Sequence, residues 1–366
     1  MPFEHGTISC RIFQVPRTLP KDAIERFAGD VAPPVDSSAH VEIRGWVSGR
    51  HLLDRVINED TAYYGGFLRL TLLSAQRKIP TSLLRAECRM EELAHMATHR
   101  IDFVDRKQRA EIRRTVEERL LPQMPPQLNG IPFVYIESSG VIYASATSIR
   151  QMDSFMAFFT HTLGMQLTPC MPGALAQERR SVKVEDWRPS SWSPDLTDGS
   201  VEASAGREFL TWLWFTGEAR GGILRVGDLG EVGILIEGPL TLFLEGNGAH
   251  ETVLRRGDPL CSAEAKASLL AGKTLRTAKL TLTLGEDIFV TTLDAEEFVL
   301  RSLRLPDIDA LDAVSRFQER MFKLDTFREA LFSLYDRFIE ERRDSSIWKK
   351  TKKEIHQWVS TRKTRH

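Results

Sequence analysis

Apolar positions alternate with polar ones, or run together, in several stretches that predict β-strands. Residues 7–15 (TISCRIFQV) and 66–73 (GFLRLTLL) combine this pattern with β-branched and aromatic residues. The pattern returns at 133–138 and 141–147, where Ser139-Gly140 predicts a hairpin turn. Further strands are predicted at 231–237, 240–245, 275–284 and 287–293.

A helical spacing replaces the strand pattern between Pro80 and Leu121, where apolar residues recur every three or four positions. Residues 102–105 predict a turn between two helices, with Asp105 as the N-cap of the second and Pro122 as its end. Further helices are predicted at 149–163, within 258–273, over 308–340 and at 345–360.

These elements predict an α+β fold with mixed strands, a long helical pair in the N-terminal half, a second, smaller α+β unit and a helical C-terminus. Residues 171–206 are rich in Pro, Ser, Gly and Asp, which predicts a linker or exposed loop. The predicted domains are 1–170 with the helical pair at 80–121, 207–305, and a helical segment 306–366 with a basic tail.

Composition restricts the class of protein. The chain has 366 residues, of which 42% are hydrophobic and 27% charged, enough for one large core or two ordinary ones. No apolar run approaches the roughly 20 residues of a membrane-spanning helix, and no secretory signal pattern is present. The four cysteines show no CxxC pair, which favours reduced thiols. We therefore expect a cytoplasmic protein without membrane contacts.

Positive charge is concentrated in two segments of a chain whose formal net charge is −1. Six basic residues lie within 105–126. The last 26 residues hold nine Lys/Arg against three Asp/Glu, a net of +6, so residues 1–340 sum to −7. Attraction to a polyanion must therefore come from local patches.

The first basic segment forms a stripe on the second predicted helix. Arg106, Arg109 and Arg113 share one face, and Lys107 and Arg114 lie on an adjoining face. Basic residues in the first turn oppose the helix dipole, so helix stability alone does not favour this arrangement. A DNA phosphate backbone is one compensating partner. The alternative is a solvated face balanced by nearby glutamates.

The second basic segment is the sequence KKTKK (349–353), which is interleaved with Trp348, His356 and Trp358. Basic and aromatic residues together are typical of nucleic-acid surfaces and of sites for acidic partners. A solubilising terminal arm is the alternative. The candidate residues are Lys349, Lys350, Lys352 and Lys353.

Motifs for cofactors and catalysis are not found. The glycines of 217–222 lack the Lys-Ser/Thr of a phosphate-binding loop, and the pair His95 and His99 lacks the glutamate of a zinc-protease helix. The aromatic run 209–215 is more typical of a core than of a base-stacking surface. We therefore predict no catalytic residue, cofactor or metal. The carboxylates available to a metal-dependent DNA exonuclease, the alternative function, are Glu185-Asp186, Asp228, Glu231 and Glu237.

Several motifs occur in an order and spacing that resembles the RdgC family, the recombination-associated DNA-binding proteins of bacteria. Within 40–170 they are Gly45-Trp46-Val47, Arg77-Lys78-Ile79-Pro80, Leu120-Leu121-Pro122 and FVYIESSGVIYASAT. A later pattern, LEGNG…RRGDPL…LAGKTLRTAKLTL, spans 244–282.

The resemblance implies a non-enzymatic, nucleoid-associated α+β protein, although the family has also been labelled as exonucleases. It implies a ring-shaped homodimer that encloses double-stranded DNA without sequence preference and restrains the RecA recombinase. It also implies that Arg256 and Lys273 face DNA, together with the stripe already described.

Two positions depart from the family pattern. Pro125 stands where the family can carry an aromatic residue implicated in DNA contact, and Gly257 replaces a polar neighbour of Arg256. A third possibility, from another class, is a protein-interaction scaffold whose basic tail binds an acidic partner.

Overall fold

The computed structural model describes residues 2–34, 42–193, 195–199, 204–245, 250–255 and 263–361. This part of the chain contains ten helices and thirteen strands, and its strand ladders are antiparallel. The predicted α+β class is confirmed.

The strands are β1 (Ile8–Gln14), β2 (Ile43–Ser48), β3 (Tyr63–Tyr64), β4 (Phe67–Arg77), β5 (Pro126–Ile136), β6 (Val141–Ala144), β7 (Thr168–Pro169), β8 (Ile223–Val226), β9 (Gly230–Leu244), β10 (His250–Leu254), β11 (Thr274–Leu284), β12 (Asp287–Asp294) and β13 (Val299–Arg304). The helices are α1 (Ala23–Gly29), α2 (Glu59–Ala62), α3 (Thr81–His99), α4 (Arg106–Leu120), α5 (Ile149–Leu163), α6 (Pro172–Arg180), α7 (Ala205–Ala219), α8 (Ala263–Leu270), α9 (Ala313–Arg343) and α10 (Ser345–Ser360). None of these helices is both long and apolar enough to span a bilayer.

The chain forms two compact units. Unit 1 comprises Met1–Thr18, Tyr64–Leu68 and Phe133–His366, and unit 2 comprises Leu19–Tyr63 and Arg69–Pro132. These divisions do not coincide with the predicted domains, because 1–18, 133–170 and 207–305 belong to the same unit.

Unit 1 contains a sheet in which β9, β11, β12, β13, β1 and β6 are successive hydrogen-bonded neighbours. Helix α7 packs on β9 and β11, and its residues 206–216 are all buried. Gly206 lies so close to the carbonyl oxygen of Ala295 that a Cβ there would overlap it. The aromatic run 209–215 is therefore core, as predicted.

Helices α9 and α10 also contribute to the core of unit 1. Along its 31 residues α9 buries Phe327, Leu331 and Tyr335 among others, and α10 buries Trp348 and Trp358. The prediction that these tryptophans belong to a nucleic-acid surface is wrong, because their rings pack against the core instead of reaching solvent.

Residues 171–206 include more ordered structure than a linker. The α6 helix lies there with Leu175 and Ala176 buried, and Trp192 is also buried. The bidentate ion pair of Arg179 with Asp336 ties α6 to α9. Where the sequence predicted a linker or exposed loop, the described residues belong partly to the core.

Unit 2 pairs β2 with β4, in register from Ile43 opposite Ala75 to Ser48 opposite Leu70. Phe27 of α1 packs edge-on against Trp46 of β2, with ring centroids 5.0 Å apart. Helices α3 and α4, the predicted helical pair, complete this unit.

Candidate nucleic-acid interface

Helices α3 and α4 form a hairpin in unit 2, and residues at the helix ends explain where α3 ends and where α4 begins. Helix α3 ends at Arg100, whose φ of 53° reverses the chain. Asp105 caps α4 by accepting from the Gln108 N–H at 2.7 Å, and the Gln108 side chain accepts from the Asp105 N–H. The predicted N-cap is confirmed, and this capping box fixes where α4 begins.

The hairpin buries little apolar surface. Helix α3 has no buried residue, and α4 buries only Val116 and Leu120. Ion pairs therefore contribute much of the contact between and along the helices. Arg119 of α4 donates to Glu91 at 2.7 Å and to Glu87 at 2.8 Å, both on α3.

Four arginines of α4 are engaged with glutamates. Arg113 donates to Glu117 at 2.8 Å, and this hydrogen bond raises the pKa of the guanidinium. Arg114 lies 3.4 Å from Glu118, and Arg109 lies 3.8 Å from Glu92. We call Arg109, Arg113, Arg114 and Arg119 the stem arginines. Arg109, Arg113 and Arg114 belong to the predicted stripe, and all four are exposed but partly neutralised within the protein.

Three cations at the turn of the hairpin differ from the stem arginines. Arg100, Arg106 and Lys107 are exposed, and no described residue forms an ion pair with them. We call these residues the tip cations. Arg106 was predicted from the sequence as a DNA contact, whereas Arg100 was not.

In unit 1, the sheet presents a basic surface that the sequence analysis missed. Lys279 of β11 stands opposite Thr292 of β12, which stands opposite Arg301 of β13. Residues directly opposite each other share a face of a sheet, so these side chains form one row. Lys279 and Arg301 are separated by two strand spacings, roughly 10 Å.

A second row lies beside the first. Thr281 stands opposite Val290, which stands opposite Arg304. Arg304 is exposed and has no ion-pair partner among the residues that the structure describes. We call Lys279, Arg301 and Arg304, with Thr281 and Thr292 between them, the basic sheet face.

Acidic residues reduce the charge of the basic sheet face but do not cancel it. Glu237 lies 3.0 Å from Lys279, and Asp294 lies 3.7 Å from Arg301 and 3.8 Å from Arg276. With Arg276 included, four cations meet two carboxylates on this surface. Leu280, Leu282 and Phe289, from alternate positions of the same strands, are buried in the core.

The C-terminal lysines divide between two environments. Lys349, Lys350 and Lys353 are exposed on α10, where Lys350 lies 4.0 Å from Glu354, whereas the less exposed Lys352 pairs with Asp198. Asp344 caps α10 by accepting from two backbone N–H groups. The buried side of the helix thus positions the backbone from which the three exposed lysines extend.

A network beneath α10 fixes its angle to α9. Arg220 donates to Glu341 and Glu354, each at 2.9 Å, and to the Thr351 hydroxyl at 3.0 Å. On the same helix, burial and the nearby Lys352 lower the pKa of His356.

Two further residues, Lys273 and Arg256, were predicted to face DNA. Lys273 is half-buried, and its ammonium donates to the Thr252 hydroxyl of β10. Arg256 lies outside the described residues, as does Gly257.

The carboxylates proposed for an exonuclease do not converge. Glu231 and Glu237 both lie on β9, six residues apart along an extended strand, which is a separation of roughly 20 Å. One magnesium ion, which binds oxygen at about 2 Å, cannot bridge that distance. Asp228 lies in a 3-10 turn before β9. The exonuclease stays a prediction that this arrangement does not favour.

The histidine pair does not assemble a metal site. His95 and His99 stack with ring centroids 4.1 Å apart, and the His99 Nδ1 lies 3.0 Å from the His95 carbonyl oxygen. Across the described part of the chain, no three His, Cys, Asp or Glu side chains are grouped so that they could hold a metal ion.

Comparison with known proteins does not assign the chain to a family. No protein-family model matches it, and no curated protein matches it.

Proposed function

We propose that this chain is a sequence-independent, non-enzymatic double-stranded DNA-binding protein that contacts mainly phosphates. The observation that supports this proposal best is the basic sheet face, where Lys279 of β11 and Arg301 of β13 lie in one row across β12, and Arg304 lies in the row beside it. Guanidinium, ammonium and hydroxyl groups donate hydrogen bonds, and phosphate oxygens accept them.

The chemistry of this face also supports a lack of sequence preference. Contacts to phosphate and sugar position a protein on DNA, whereas contacts to base edges specify sequence. Cations and threonine hydroxyls on the surface of a sheet are suited to contacts with phosphate and sugar. The tip cations and the exposed lysines of α10 provide further groups of the same kind.

The remainder of the proposal rests on the RdgC resemblance. We propose that the protein acts as a ring-shaped homodimer around the duplex, which restrains RecA by occupying DNA in the nucleoid. Two-fold symmetry would present every basic surface twice. Because the chain has a formal net charge of −1, such duplication would strengthen a weak local attraction.

A salt titration with a triple variant of the basic sheet face tests DNA binding. Binding of wild type and of Lys279→Ala/Arg301→Ala/Arg304→Ala to several unrelated duplexes is measured between 50 and 200 mM salt by fluorescence anisotropy. A full phosphate contact contributes about 0.9 to the slope of log K against log salt. The triple variant should therefore lower the slope by between about 0.9, from Arg304, which no described residue pairs, and about 2.7, because Lys279 and Arg301 must leave Glu237 and Asp294 to reach a phosphate. The loss should be equal for all sequences.

A variant that removes a single positive charge elsewhere in unit 1 provides the control. Arg337 is 60% exposed on α9, a helix whose other side packs in the core of unit 1, and Arg337→Ala should leave the slope unchanged. A triple variant that binds as tightly and with the same slope as wild type would contradict the assignment of this face.

A further inference from the structure

One aromatic side chain at the turn of the α3–α4 hairpin is left in solvent. Phe103 is 73% exposed, whereas the next residue, Val104, is only 4% exposed. The turn therefore provides a buried place for an apolar side chain, and Phe103 does not use it. Exposing a phenyl ring costs free energy that burial would recover.

The backbone on both sides of Phe103 is held in place. The N–H of Ile101 donates to the Met96 carbonyl oxygen at 3.1 Å, which closes the end of α3. On the other side, the capping box of Asp105 and Gln108 fixes the start of α4. The ring is thus presented by a short connection between two capped helices, so little backbone entropy is lost when it contacts a partner.

The charges of the hairpin indicate what kind of partner Phe103 contacts. The stem arginines are engaged with glutamates, whereas the three tip cations that flank Phe103 have no ion-pair partner among the described residues. Two carboxylates share the turn: Asp102 is exposed, and Asp105 is directed at the N-terminus of α4. An exposed apolar ring among cations that have no ion-pair partner in the described part of the chain complements duplex DNA. The phosphates of DNA are anionic, and its stacked bases form an apolar interior.

We propose that Phe103 inserts its ring between stacked base pairs while the tip cations contact the flanking phosphates. This inference rests on the proposed function, because it requires that the protein bind duplex DNA. Apolar wedges that enter between base steps unstack them, kink the duplex and unwind it locally. The inserted ring then contributes to the free energy of binding through an apolar contact, which salt does not screen.

The unwinding of closed circular DNA separates insertion from phosphate contact. Relaxed plasmid is incubated with saturating protein and topoisomerase I, the protein is removed, and the linking number is read on a gel. Wild type should shift the distribution of topoisomers, and Phe103→Ala should not. Phe103→Leu, which keeps an apolar wedge, should retain most of the shift.

Affinity and folding are measured on the same variants. Loss of one stacked contact should weaken the binding of Phe103→Ala about 5- to 150-fold at constant salt slope. Because the ring is exposed, the unfolding temperature should not change. Phe322→Ala is the matched control, since Phe322 is 64% exposed on α9 of unit 1 and should retain both affinity and the topoisomer shift.

Three results would overturn the inference. If wild type binds without changing the linking number, or if Phe103→Ala changes it equally, the ring does not insert, and the proposed function stands. If Phe103→Ala alters the sedimentation coefficient of the free protein, the ring packs against a second copy of the chain instead of DNA. If wild type does not bind DNA at all, both the proposed function and this inference are wrong.

Discussion

The α3–α4 hairpin of unit 2 and the helices of unit 1 use charged residues in different ways. In the hairpin, α3 buries nothing completely, and glutamates engage the stem arginines. In unit 1, α10 buries Trp348, Ile355 and Trp358 on one side and exposes Lys349, Lys350 and Lys353 on the other. A basic cluster in a sequence can therefore become either an internal ion-pair network or a displayed surface.

The physical reason for this difference is the amount of apolar surface that each element can bury. Exposed ion pairs contribute about 0–1 kcal/mol each, whereas a buried aromatic side chain contributes several times more. A helix that is anchored by tryptophans does not need its lysines for folding. A helix pair with two buried residues uses arginine and glutamate to stay together, which leaves fewer cations for an external partner.

Thiol labelling should show the largest difference between the two regions. Burial raises the pKa of Cys10 and of Cys170, both in unit 1, to about 12, from a usual value of 9.0. Their thiolate fractions at pH 8 therefore fall about 10³-fold below those of free thiols. Cys88 of α3 is half-buried, and its pKa is raised by partial desolvation. In a Cys261→Ser background, we expect Cys88 to react with a maleimide faster than Cys10 and Cys170, by a factor smaller than the roughly 10³-fold that separates those two from a free thiol.

Labelling in 6 M guanidinium chloride should remove the difference and provides the control. If Cys88 is as protected as Cys10 under native conditions, the hairpin is as rigid as the core of unit 1, and the contrast drawn above is wrong.

Truncation of an anchoring aromatic should have the next largest effect. The Trp358 ring lies 5.0 Å from Trp214 and 4.7 Å from the Lys266 ammonium, and its N–H donates to Glu218 at 2.9 Å. Trp358→Ala should lower the free energy of unfolding by about 3–5 kcal/mol, as measured by urea titration with far-UV circular dichroism.

The hairpin provides the comparison for that variant. Leu93 of α3 is 50% exposed, so Leu93→Ala should change the free energy of unfolding by less than about 0.5 kcal/mol. A loss below about 1 kcal/mol for Trp358→Ala would mean that α10 is not anchored as the structure shows.

The smallest expected effect is a difference in the salt dependence of DNA binding between the exposed lysines of α10 and the stem arginines. Replacement of Lys349, Lys350 and Lys353 by alanine should lower the salt slope by up to about 2.7, because these lysines are exposed and, among the described residues, only Lys350 has an ion-pair partner, Glu354 at 4.0 Å. The same replacement of Arg109, Arg113 and Arg114 should lower it by less than about 1, since these arginines must leave their glutamates to reach a phosphate.

A triple Lys→Arg variant of α10 keeps the charge and should keep the slope. Equal slopes for the two alanine triples would show that the glutamates do not restrain the stem arginines, and the distinction between the two sets would be lost.

Much of the secondary structure could be predicted from local pattern. The predicted helix at 149–163 coincides with α5, and Asp105 caps α4 as expected, because capping and periodicity depend on residues a few positions apart. The strands predicted at 231–237 and 240–245 are one strand, β9, which runs through Gly238 and Pro239. Those two residues are typical of a turn, and the pairing with β11 shifts register there, but it continues on both sides, from Glu237 and from Thr241.

The basic sheet face could be predicted only in part. In the sequence TAKLTLTL, Lys279 alternates with buried leucines, so its position on the polar face of a strand follows from the period of two. Arg301 and Arg304 lie on β13, which the sequence analysis did not predict, and their register with β12 contains a bulge. A register between strands depends on long-range pairing that no local pattern encodes.

By itself, the sequence determined the α+β class, the termini of α4, α5 and α10, and the concentration of cations in two segments. Only the tertiary structure decided which of those cations are exposed and free, which tryptophans are core, and that Lys279 lies in a row with Arg301. The physical reason is that helix caps and periodicity act over a few residues, whereas burial and ion pairing depend on segments that meet only when the chain folds.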